Sequence, residues 1–145
     1  MLVDFYHLAA TPLERVLPRI CERLLEGGER LLIVAEPSLL RQLDEQLWTY
    51  SVDSFVPHGR SDKADPEKQP ILLSSEVQPL NGAANIALAD GVWHDEALAF
   101  ARTFYFFDSG HLDTARGTWR ALKDKPEAEP RYWKQDERGK WVQGP

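Results

Sequence analysis

Arg116, Trp119, Arg120 and Lys123 stand at i, i+3, i+4 and i+7, the spacing that gathers side chains on one face of a helix. Three cations around one large ring suit an acidic peptide that ends in an apolar group: guanidiniums pair carboxylates, and the ring packs the apolar end. The same residue types continue in Tyr132-Trp133-Lys134-Gln135 and Gly139-Lys140-Trp141. Residues 116–145 hold eight Lys or Arg against five Asp or Glu, whereas residues 1–115 hold nine against 18. A mildly basic end therefore follows an acidic body. The net charge of −6 argues against a protein that coats DNA, whose affinity would come from neutralising phosphates.

Other chemistries find no footing. No G-x-x-x-x-G-K-[ST] or G-x-G-x-x-G occurs, and Gly27-Gly28 precedes an apolar run instead of following one, so no phosphate cradle is expected. His7, His58, His94 and His111 are scattered, and with the single Cys21 they give no zinc-like spacing. Ser74-Ser75 lacks a nucleophile elbow, and Asp44-Glu45 and Asp95-Glu96 place adjacent carboxylates on different helix faces. Neither catalysis, a metal nor a cofactor is expected. Trp119 also fits a packed helix whose edges are solvated by Arg116, Arg120 and Lys123, and Trp48 with Phe55 also fits a helix end packed on a strand. Spacing alone does not choose between packing and docking.

A chain of 145 residues is expected to form one domain over residues 1–145 with its own core. Cys21 falls in a helical apolar pattern, which reads as a buried thiol in a reducing compartment. Without a signal-like start or a long apolar run, the protein is expected to be soluble and cytoplasmic.

The elements that must position these residues alternate. Leu2 to Leu8 reads as a strand; Thr11, Pro12 and Glu14 read as cap, first helical residue and capping-box partner of a helix ending near Glu26, with Gly27-Gly28 as its left-handed stop. Arg30 to Ala35 reads as a strand buried on both faces. Pro37 opens a helix with the stripe Leu39, Leu40, Leu43 and Leu47, and Gly59 to Gln69 reads as an exposed, mobile loop. Pro70 to Ser74, Asn85 to Ala89 and Arg102 to Phe107 read as strands, Asp95 to Phe100 as a brief helix, and His111 to Lys123 as the last long helix, ended before Pro126 and Pro130. The fold class is an α/β single-domain sandwich with a largely parallel, Rossmann-like sheet flanked by helices, no nucleotide-binding loop, and residues 124–145 as a C-terminal extension packed on the body.

The segments Val3-Asp4-Phe5-Tyr6-His7-Leu8, Leu43-Asp44-Glu45-Gln46-Leu47-Trp48, Ser54-Phe55-Val56-Pro57-His58-Gly59, Pro70-Ile71-Leu72-Leu73 and Ala115-Arg116-Gly117-Thr118-Trp119-Arg120 occur in this order. With the Tyr132 to Trp141 segment, they make the chain resemble, over nearly its whole length, the chi subunit family of bacterial DNA polymerase III. The resemblance implies a noncatalytic, clamp-loader-associated adaptor in DNA replication. Its implied partners are the psi subunit and the acidic C-terminal tail of single-stranded DNA-binding protein. Trp48, Phe55, Val56 and Pro57 fall where the family contacts psi; Arg116, Trp119 and Arg120 fall in its tail-binding surface, with Lys123 as an auxiliary contact. The alternative within this reading is an adaptor that recruits a helicase or other repair partner. Two rivals lie outside it, a nucleotide-dependent enzyme and a direct nucleic-acid binder.

Overall fold

The computed structural model describes residues 1–9, 11–49, 56–63 and 65–144. The opening β-forming run is strand β1 (Leu2–His7), and the helical spacing behind it is α1 (Leu13–Glu26). Pro12 occupies the N-cap in an extended conformation with no side-chain cap, so the expected Thr11 and Glu14 capping box does not form. Thr11 lies one residue too early, and its hydroxyl accepts a 2.7 Å hydrogen bond from Gln135 Nε2. The far end of α1 follows the sequence: Gly28 sits at φ 72°, its N–H donates to Leu25 O, and the Glu29 N–H donates to Leu24 O. This 5→2 and 6→1 pair is the Schellman stop that glycine permits.

The chain continues through β2 (Leu31–Val34), α2 (Pro37–Thr49), β3 (His58–Arg60), β4 (Ile71–Ser74), β5 (Asn85–Leu88), β6 (Arg102–Phe107), α3 (Leu112–Lys123), β7 (Glu129–Gln135) and β8 (Trp141–Gln143). Short 3-10 turns occupy Pro66–Lys68, Asp95–Ala99 and Ser109–His111. Among the described residues the strands form one sheet in the order β3-β4-β2-β5-β6-β1-β7-β8, parallel throughout except for the β7–β8 pair. This is the expected α/β architecture with a largely parallel sheet.

Alternation along the strands builds two cores. Ile33, Ile71, Leu73 and Ala87 meet Leu17 and Leu24 of α1 and Leu40, Leu43 and Leu47 of α2. The intervening Leu32, Val34, Leu72, Ile86 and Leu88 join the opposite core, which Ala115 and Leu122 of α3 also enter. Every residue of β2, β4 and β5 is buried. Their apolar runs, residues 31–34, 71–73 and 86–88, follow from burial on both faces of the sheet.

Two further sequence expectations change. Gly59 and Arg60 are not loop but part of β3, paired with Leu72 and Leu73, and a 3-10 turn lies farther along the same segment. Tyr132, Trp133 and Trp141, which fall in the expected C-terminal extension, belong to two strands that the sequence reading did not contain.

A buried carboxylate ties those late strands to the first one. Asp4 has 0% exposure. Arg131 Nε reaches its Oδ1 at 2.7 Å, and Arg131 Nη2 reaches Oδ2 at 3.0 Å. Trp133 Nε1 donates to Oδ1 at 3.0 Å, and Arg102 Nε donates to Oδ2 at 2.9 Å. Burial alone would raise the Asp4 pKa; the hydrogen bonds from Arg131 and Trp133 and the charge and hydrogen bond of Arg102 outweigh it and hold the carboxyl below its ordinary 3.8.

A carboxyl depressed on folding adds stability above its unfolded pKa and loses that contribution as pH falls through the lower, folded value. Asp4→Asn is therefore expected to cost about 2 to 4 kcal/mol at pH 7, reaching below the roughly 3 to 5 kcal/mol of a fully buried pair because the two guanidiniums keep some contact with water. Urea titrations at pH 7 and in steps below pH 4 check this: the gap between wild type and variant should narrow as acid protonates Asp4.

Candidate functional site

Helix α3 carries two kinds of side chain on adjoining faces. Ala115 and Leu122 are buried against the sheet, and Trp119, between them in the helical repeat, is half-buried. Arg116, Arg120 and Lys123 are exposed. Leu122 contributes about 2 kcal/mol through its burial, enough to seat the helix and fix where its cations stand.

Between α3 and β7 opens a cleft of about 380 Å³, lined by Phe5, Phe107, Leu112, Ala115, Arg116, Trp119, Arg120 and Tyr132. The Trp119 ring meets Phe5 edge to face at 5.2 Å and Tyr132 at 6.4 Å, and Phe5 meets Phe107 at 6.3 Å. Such edge-to-face contacts are the favoured geometry for rings and hold the box open without collapse. Arg116 and Arg120 border it, and neither takes part in an ion pair among the described residues. Lys123 does not line the cleft; its Nζ lies 5.2 Å from the centroid of Trp119, a cation over the ring. Unpaired guanidiniums beside an aromatic box can take an anion and an apolar group at once.

Tyr132 is fixed from several sides. Its hydroxyl lies 3.1 Å from His7 Nδ1, and its backbone carbonyl accepts the Gly144 N–H at 2.7 Å. Burial raises its pKa, and the charge of Arg116 acts in the opposite direction. Phe5, Phe107 and Tyr132 were not among the sequence-derived site residues. Phe107 and Tyr132 lie more than 100 residues beyond Phe5 in the chain, and the β6-β1-β7 order brings the three together.

The second set of sequence-derived residues lies at the other end of the sheet. Trp48 ends α2 with 58% exposure, its ring 4.9 Å from that of His58. His58 is buried, with Nδ1 2.7 Å from the Val56 carbonyl and Nε2 2.8 Å from Asp44 Oδ1. Both ring nitrogens thus face acceptor atoms. Pro57 is half-buried, and Phe55 lies outside the described residues. Val56 has 0% exposure and packs in the core, so its side chain supports this surface and does not form it. Five strand steps, roughly 24 Å at about 4.8 Å each, separate β3 from β1 beneath the cleft, and α2 and α3 lie on opposite faces. The structure brings Arg116, Trp119 and Arg120 together and keeps Trp48 and Pro57 apart from them.

Among the described residues no three His, Cys, Asp or Glu side chains gather as a metal would need; His94 lies 3.9 Å from Glu96 and His111 2.8 Å from Asp108. No helix among the described residues is long and apolar enough to cross a membrane.

The fold and the cleft define an α/β protein with an aromatic, cation-bordered groove on one face of a parallel sheet. The chain belongs to the DNA polymerase III chi subunit family: the family model described as DNA polymerase III chi subunit, HolC, matches residues 1–127. It is also similar to a curated protein of Rickettsia prowazekii (strain Madrid E), the probable DNA polymerase III subunit chi, at 27% identity over 86 residues, 59% of this chain and 52% of that one. The chain thus spans about half the length of the curated relative it matches. The family match includes all of α3 and ends before β7, so Tyr132 lies beyond it.

Gly117 lies on the exposed side of α3, and a Cβ built there meets nothing within 4 Å. Glycine in a helix interior costs about 1 kcal/mol relative to alanine. Gly117→Ala is expected to raise stability by roughly 0.5 to 1 kcal/mol, measured by urea unfolding, while leaving the cleft's ligand affinity within twofold.

Proposed function

We propose that this chain is a noncatalytic accessory subunit of the DNA polymerase III holoenzyme, associated with the clamp loader in the cytoplasm, that joins the psi subunit to the acidic C-terminal tail of single-stranded DNA-binding protein. The observation that carries the proposal is the cleft itself: two unpaired guanidiniums beside a box of four aromatic rings. An acidic tail brings carboxylates for Arg116 and Arg120, and an apolar terminal residue fills the space among Trp119, Phe5, Phe107 and Tyr132. Lys123 acts as an outer cation beside Trp119. Charge-assisted hydrogen bonds contribute about 1.5 to 3 kcal/mol each. With one buried ring, such bonds suit a contact of micromolar strength that releases and rebinds. The psi contact falls to the opposite end of the sheet, on the exposed ring of Trp48 with Pro57, over a bed that includes the buried Val56; Phe55, outside the described residues, belongs to the same proposed set. Family membership and the separation of the two surfaces support an adaptor with two partners.

Fluorescence anisotropy with a labelled acidic peptide ending in phenylalanine tests the tail site. Arg116→Ala and Trp119→Ala should each weaken binding at least about fivefold, the loss of one charge-assisted bond or one ring contact. Unchanged affinity in both variants would sink the assignment. Raising salt from about 0.05 to 0.5 M should weaken the wild-type complex, because exposed charge pairs are screened.

Copurification tests the other surface. Trp48→Ala should impair recovery with psi while peptide binding stays as in wild type. Joint loss of both would indicate a damaged fold.

A further inference from the structure

The cleft's wall on the β7 side depends on a strand whose own sequence specifies its register weakly. Glu129-Pro130-Arg131-Tyr132-Trp133-Lys134-Gln135 has no fully buried residue, and its two faces carry Glu, Arg, Trp and Gln against Pro, Tyr and Lys. Register is strongly set only where one face is buried, so apolar patterning does not fix this strand on β1. A slip of one residue would carry Tyr132 to the opposite face. A slip of two would keep it on its face but move it by roughly 6.6 Å, beyond reach of Trp119.

The observed register pairs Asp4 with Arg131, Phe5 with Tyr132 and Tyr6 with Trp133. Arg131 and Trp133, the chain neighbours of Tyr132, point through the sheet and both hydrogen bond to Asp4. Asp4 is in turn the chain neighbour of Phe5, whose ring lies under Trp119. We propose that Asp4 is the positioning residue of the cleft: from the opposite face of the sheet its carboxylate locks Arg131 and Trp133, and so holds Tyr132 and Phe5 side by side where the ligand's apolar end packs.

Arg102 supplies the internal control. It contacts the same carboxylate, at 2.9 Å, but from β6. It adds to the stability of the pair without setting β7. The residues that grip β7 should therefore affect both stability and the cleft, and Arg102 should affect stability alone.

The proposal rests on the cleft being the tail site, so the experiment carries one readout with peptide and one without. Asp4→Asn, Arg131→Gln and Arg102→Gln are compared with wild type at a temperature where circular dichroism shows all four folded. Melting temperatures are measured in parallel.

Anisotropy with the Phe-ended acidic peptide should show about tenfold weaker binding for Asp4→Asn and Arg131→Gln, the effect of leaving two wall rings to be ordered by the ligand. Arg102→Gln should remain within about twofold despite a lowered melting temperature. Aromatic carbon–proton correlation spectra of the peptide-free proteins should show displaced Tyr132 and Phe5 resonances in the first two variants only.

Affinity losses that follow melting temperature in all three variants, Arg102→Gln included, would overturn the proposal, as would wild-type affinity in Asp4→Asn. If wild type itself fails to bind the peptide, the tail reading falls. The peptide-free spectra still decide the positioning role: unmoved Tyr132 and Phe5 signals reject it, and displaced ones sustain it.

Discussion

One buried carboxylate organises the half of the sheet that lies beneath the cleft. Asp4 lies on β1 and collects donors from β6 on one side and β7 on the other, joining residues 4, 102, 131 and 133 around two oxygens. An unpaired carboxylate in that place would be driven to protonate, so the fold is stable there only with its donors in position. The arginines supply them while keeping 34% and 28% of their side chains exposed, which lowers the cost of withdrawing charge from water. The rings nearby extend the tie: Arg102 lies 4.4 Å from the Phe104 centroid, Arg131 5.6 Å from that of Trp133, and Tyr6 stacks between Phe106 and Trp133. The polar cluster on this face and the cleft on the other are two sides of the same three strands.

The remaining strands are held by a different force. In β2, β4 and β5 apolar burial dominates the pairing: runs of Leu, Ile, Val and Ala are covered from both sides, which makes a slip costly, and the buried Asn85 adds one polar tie by donating to Arg30 O at 3.0 Å. The division explains what could be read from the chain. Arg30 to Ala35 and Pro70 to Ser74 declare themselves as buried strands because apolar continuity is a local property. The α1 stop at Gly27-Gly28 is local as well. β7 was illegible because half-exposed residues interrupted by Pro130 carry no period, and its pairing depends on Asp4, more than 120 residues away. β3 was missed for a related reason: three residues, His58–Arg60, at a sheet edge give too short a pattern to separate from the charged segment after them.

The candidate site was legible in its charges and hidden in its shape. Arg116, Trp119, Arg120 and Lys123 share a helix face by arithmetic alone. That Trp119 is both a packed ring and a cleft wall was not open to sequence reasoning, which set packing against docking as alternatives. Edge contact with Phe5 seats one side of the indole while another lines the cleft. Val56 shows the reverse case. Its neighbours Trp48 and Pro57 meet solvent, whereas its own side chain is consumed by the core, and no spacing rule distinguishes the three.

The charge distribution explains how a protein of net charge −6 can carry a cationic border at one cleft, as the proposed tail site requires. At physiological ionic strength charges more than about 8 Å apart are largely screened. Arg116 and Arg120 at the border of the cleft therefore weigh more in its field than carboxylates lying farther than that from it. A short peptide tail samples only that local field. A nucleic acid strand, with a phosphate at every residue, would extend beyond the two cations and meet the acidic body, where each further phosphate is repelled. On the proposed reading, the arrangement that would admit an acidic terminus would thus disfavour a long polyanion. Selectivity of that kind needs no contact specific to peptide backbone; it follows from the cationic patch being smaller than the ligand it must refuse.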